Sequence, residues 1–169
     1  MPGLPPLLLS ALLLLTAGWP AAARAHVHGE ARLEIGLAGN TLELRLEVPQ
    51  EALLGFERAP QSAAEREAWR LLQARLANPA AVFSLPAAAD CQVANGPEPE
   101  HLRPLSAGDG HRDLILAYRW HCRQPERLRA LDSQLFSEFP RLQRIRVDFA
   151  GPNGQKSGRL SARQARFTW

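Results

Sequence analysis

The sequence predicts an α+β fold, a single domain of mainly antiparallel strands with one longer helix, one or two short helices and one disulfide. Three observations predict it. Four stretches alternate apolar and polar residues with a period of two. One stretch switches to a helical period behind a capping box. The only two cysteines, Cys91 and Cys122, each fall at the edge of an expected strand.

Taken in chain order, the first element is a leader. From Leu4 to Ala17 the chain is almost wholly apolar, and no charged side chain occurs before Arg24. Such a run is too short to span a bilayer comfortably, and Ala23-Arg24-Ala25 has the small residues that a signal peptidase reads. We expect residues 1–25 to be a cleaved secretory signal and residues 26–169 to form one periplasmic domain.

Glu30 to Leu37 places Ala31, Leu33, Ile35 and Leu37 on one face and Glu30, Arg32 and Glu34 on the other. Thr41 to Val48 repeats the pattern, with Leu42, Leu44, Leu46 and Val48 apolar. Gly39-Asn40 between them tolerates positive φ, so the pair reads as a β-hairpin. Ser62 with Glu65 opens a helix that runs to Ala77, with Trp69, Leu72 and Leu76 on one face, and Pro79 ends it. Short strands are expected around Val82 to Leu85 and Cys91 to Ala94, followed by a loop rich in Pro, Gly and charge from Asn95 to Gly110.

Asp113 to Cys122 alternates again, with Leu114, Leu116, Tyr118, Trp120 and Cys122 inward. Pro125 to Phe139 reads as one or two short helices burying Leu128, Leu131, Leu135 and Phe136. Two last strands, Arg144 to Phe149 and an interrupted one from Gly158 to Trp169, flank the turn Pro152-Asn153-Gly154.

Composition bounds the function. The 169 residues are 46% hydrophobic, enough for one core or two small ones, and this excludes a large multidomain enzyme. The net charge is +3, and loss of Arg24 with the leader lowers it to +2. No basic cluster lies beside aromatics, so nucleic-acid binding is not expected, and neither is a membrane span in the mature chain. No G-x-S-x-G, H-E-x-x-H, P-loop or dinucleotide-binding glycine pattern occurs, and no catalytic residues are assigned. Glu57, in Leu53-Leu54-Gly55-Phe56-Glu57, reads as part of a tight bend on the core. Two cysteines in an oxidising compartment, without C-x-x-C spacing, are expected to bond to each other.

Histidine placement points to a metal. After cleavage the chain begins His26-Val27-His28-Gly29-Glu30, and on an extended segment His26, His28 and Glu30 point to one side. Two imidazoles and a carboxylate suit Zn²⁺, and a free α-amine at His26 would add a chelate favouring Cu²⁺. His111 and Asp113 form a second i, i+2 pair able to complete the ligand set if their strand lies near the hairpin.

Several segments, taken together, resemble the ZrgA-like proteins. They are Ala25-His26-Val27-His28-Gly29, the stretch Leu53-Leu54-Gly55-Phe56-Glu57-Arg58-Ala59-Pro60, Cys91, the strand from His111 to Cys122, Leu135-Phe136 with Phe139-Pro140, and Gly154-Gln155. The resemblance implies a periplasmic protein without enzymatic activity that binds Zn²⁺ and assists a zinc ABC importer, acting on the importer or its periplasmic binding protein. The family's usual His/Asp-rich central tract is replaced here by Pro97 to Pro104 with one histidine, His101, and Arg58 stands where the family often has His. Two other classes of function remain open from the residues themselves. One is a metal-independent interaction module of the cell envelope, and the other a copper-binding protein using His26.

Overall fold

The computed structural model describes residues 28–94 and 113–169. The leader, His26, the 95–110 loop, His101 and His111 lie outside the described residues.

The hairpin forms as its pattern dictates. β1 (Glu30–Ala38) and β2 (Thr41–Pro49) pair antiparallel, and Gly39 at the turn adopts φ +57°. Every second residue of both strands is buried, from Ala31 through Leu37 and from Leu42 through Val48. β5 (Asp113–Cys122) pairs with β2, and β4 (Cys91–Val93) closes that edge with Cys91 directly opposite Cys122, the two joined by a disulfide. On the other side β7 (Arg144–Gly151) pairs with β1 in parallel, and β8 (Gly154–Leu160) pairs with β7 antiparallel. The six-stranded order is β4-β5-β2-β1-β7-β8.

A second layer covers the apolar face. α2 (Ala63–Leu76) starts at Ser62 with the expected capping box: the Ser62 hydroxyl accepts from the Glu65 N–H while the Glu65 carboxylate accepts from the Ser62 N–H. It buries Leu72 and Leu76, and the buried Tyr118 hydroxyl donates 2.9 Å to the Leu76 carbonyl. Desolvation holds that phenol well above its ordinary pKa, so it serves as a neutral donor. Beside α2 lies a three-stranded sheet in the order β3-β6-β9, made of Phe83–Ser84, Ala130–Ser133 and Arg166–Thr168. Phe83 meets Tyr118 edge to face, and Phe149 stacks on Trp169 at 4.7 Å. One continuous hydrophobic core joins the two layers.

The expectations for the short elements need correcting. The 125–139 stretch is a 3-10 turn at Pro125–Arg127, then strand β6, then α4 (Leu135–Glu138); β6 is covered on both faces and so shows no alternation. Pro79 starts a short helix, α3 (Pro79–Val82), as well as following α2, because proline is suited to a first helical turn. The last strand begins at Gly154, and the interruption is a change of sheet: β8 ends at Leu160 in the large sheet and β9 belongs to the small one. A one-turn helix, α1 (Gln50–Leu54), follows β2 directly and has no counterpart in the sequence reading. Among the described residues no helix is long and apolar enough to cross a membrane.

Candidate metal site

The end of the sheet where β1 begins and β2 ends gathers three ligand-type side chains. His28 precedes β1, Glu51 lies on α1, and Glu57 lies just beyond it. The His28 Nδ1 is 3.5 Å from a Glu51 oxygen and 3.9 Å from a Glu57 oxygen, and one ligand atom from each residue lies within 4.8 Å of the others. Two donors bound at tetrahedral Zn²⁺, each about 2.0–2.1 Å from the ion, stand roughly 3.3 Å apart, so small side-chain adjustments would let the three share one ion. An imidazole with two carboxylates is a donor set that zinc accepts, and three protein ligands leave one position open. The two carboxylates are about three-quarters shielded while the imidazole is 71% exposed. The site is therefore a shallow one, with His28 as its outer wall.

Local sequence explains each placement. Gly29 adopts φ +72°, so the chain turns between His28 and β1 instead of continuing the strand. Its carbonyl accepts from the N–H groups of Gln143 (2.8 Å) and Arg144 (3.1 Å), pinning the turn to the start of β7. A Cβ there would come within 2.7 Å of the Arg141 carbonyl, so only glycine fits. α1 buries Gln50, Ala52 and Leu53, leaving Glu51 to face out. Gly55 then ends the helix in the left-handed conformation at φ +82°, with its N–H on the Glu51 carbonyl, and turns the chain so that Glu57 comes back toward Glu51. The expected bend at Gly55 is present, and Glu57 faces His28 across it.

The other residues singled out in the sequence are placed differently. Gly29 breaks the extended alternation, and Glu30 is not among the residues whose ligand atoms gather at His28. Its carboxylate is gripped by Arg144 at 3.0 Å and by Arg146. Asp113 is buried at the start of β5, opposite Pro49 in the register. Glu30 and Asp113 both line a groove of about 900 Å³ with Glu47 and Arg146. Glu51 and Glu57, which complete the cluster, carry no metal-binding spacing in the sequence. The available signal was Gly55, a turn residue set between two carboxylates.

Arg58 fastens the next stretch of chain. Its guanidinium makes a two-pronged contact with the Glu65 carboxylate at 2.9 and 2.6 Å and lies 5.5 Å from the centre of the Phe56 ring. Together with the N–H groups of Gln61 and Ser62, this holds the Glu65 carboxyl down to about 2 from an ordinary 4.5. A depressed carboxylate stabilises the fold fully above its unfolded value and loses that contribution as pH falls toward the folded one. The melting-temperature advantage of the native chain over Glu65→Gln should therefore shrink as pH drops from 4.5 to about 2. A constant difference across that window would show that the Arg58–Glu65 pair contributes nothing.

None of the curated proteins compared with this chain matches it. A family model described as "ZrgA family zinc uptake protein" matches residues 25–169. Since that match takes in every strand and helix described above, together with His28, Glu51 and Glu57, the chain belongs to the ZrgA family of zinc uptake proteins.

Proposed function

We propose that this protein is a periplasmic zinc-binding accessory protein that holds one Zn²⁺ through His28, Glu51 and Glu57 and passes it to a zinc ABC importer or to that importer's binding protein. The observation that carries the reading is the convergence of those three ligand atoms within 4.8 Å, in a chain of a zinc uptake family. The leader read from residues 1–25 and the Cys91–Cys122 disulfide support an oxidising, extracytoplasmic setting. A shallow site with an exposed imidazole and an open coordination position suits cargo that must leave again, because an acceptor's ligand can join the ion before the donor's ligands let go.

Calorimetric titration of the mature protein with Zn²⁺ tests this. Binding tighter than about 10 μM is expected, along with a melting temperature that rises with zinc. His28→Ala combined with Glu57→Gln should weaken binding by about a hundredfold, because a single remaining carboxylate cannot chelate. Glu30→Ala should leave the affinity unchanged, since its carboxylate already belongs to Arg144 and Arg146. Unaltered binding in the double variant would overturn the assignment.

A further inference from the structure

Glu51 and Glu57 belong to different local structures, a one-turn helix and the loop beyond it, and the Gly55 turn sets only the direction in which that loop leaves the helix. One buried side chain joins the two. Gln50, the residue before Glu51, is 1% exposed. Its amide nitrogen donates to the Phe56 carbonyl at 3.1 Å and to the Arg58 carbonyl at 2.9 Å. Those carbonyls flank Glu57 on both sides. A buried amide is costly to leave unbonded, so this double contact favours one loop conformation over its alternatives.

We infer that Gln50 is a positioning residue of the zinc site: it fixes the separation of the two carboxylates before the ion arrives. The inference rests on the His28–Glu51–Glu57 reading given above. With the clamp in place, zinc meets a pair of carboxylates already set at chelating distance, and binding need not supply the free energy of ordering the loop. The Arg58–Glu65 contact ties residue 58 to α2, and the Gln50 amide ties both flanks of Glu57 to α1. Groups that orient metal ligands without touching the ion typically change affinity by about 10–100-fold, and a Gln50 effect of that size is expected.

The experiment compares zinc affinity with thermal stability in four variants of the mature protein. Gln50→Met keeps the length and burial of the side chain but cannot donate, and it should bind zinc at least about tenfold more weakly while remaining folded by circular dichroism. Gln50→Asn keeps an amide in the slot but draws it back by one methylene. It gives the same reading should Gln50→Met fail to fold. Leu72→Ala, in the core beneath α2, should lower the melting temperature and leave zinc affinity as it was. Glu57→Gln reports on the site itself. If Glu57→Gln loses zinc while the Gln50 variants bind within threefold of the native chain, the clamp has no positioning role. The same holds if Leu72→Ala weakens zinc as much as they do. If Glu57→Gln binds as the native chain does, the site assignment falls instead.

Discussion

Leu46→Ala is expected to reduce the free energy of unfolding by about 2–5 kcal/mol, measured by urea denaturation. Leu46 is 0% exposed in β2, between Leu33 of β1 and Leu116 of β5 in the register. Both neighbouring strands are hydrogen-bonded to β2, so the backbone cannot close over the lost volume and a cavity remains. The contrast with Leu71 makes the test specific. Leu71 lies on the outer face of α2, is 54% exposed, and Leu71→Ala should change stability by no more than about 0.5 kcal/mol. A loss below about 1 kcal/mol for Leu46→Ala would mean that the two layers can re-pack, contrary to a core fixed by strand register.

Removing the disulfide through Cys91→Ala with Cys122→Ala should cost about 3.5–4 kcal/mol. The cysteines are 31 residues apart, and cross-linking a loop of that size removes roughly that much freedom from the unfolded chain on the entropy model. The bond also ties β4, only three residues long and on the sheet edge, to the ten-residue β5. Equilibrium unfolding of the variant against the oxidised native protein measures the effect. A difference under about 1 kcal/mol would show that β4 and β5 remain associated in the unfolded chain.

How much of this was legible beforehand depends on the range of the interaction. Side-chain alternation and capping are local, and they identified β1, β2, β5, β7 and α2 along with the inward residues of each. The disulfide followed from compartment and count. Strand neighbours are a different matter, because alternation says which face a residue takes and nothing about which strand lies beside it. The parallel pairing of β1 with β7 was therefore invisible. β6 was hidden because a short strand covered on both faces has no period.

The same division applies to the candidate metal site. His28 stood out as a ligand type, but its partners lie 23 and 29 residues away, beyond a hairpin whose register had to form first. The i, i+2 rule that linked His28 to Glu30 assumes continuous extended backbone, and Gly29 ends that continuity at the one place where it was needed.

The carbonyl of Gly29, held by the N–H groups of Gln143 and Arg144, bears on the order in which the molecule is put together. A chain that emerges N-terminus first presents His28 early, and the β1–β2 hairpin can form at once from residues close in sequence. The anchor for the histidine turn arrives more than a hundred residues later, with β7. Closing so long a span is slow compared with forming a hairpin. Until then the turn that sets His28 against Glu51 and Glu57 has no anchor, so a nascent or truncated chain lacks the arrangement proposed to hold zinc.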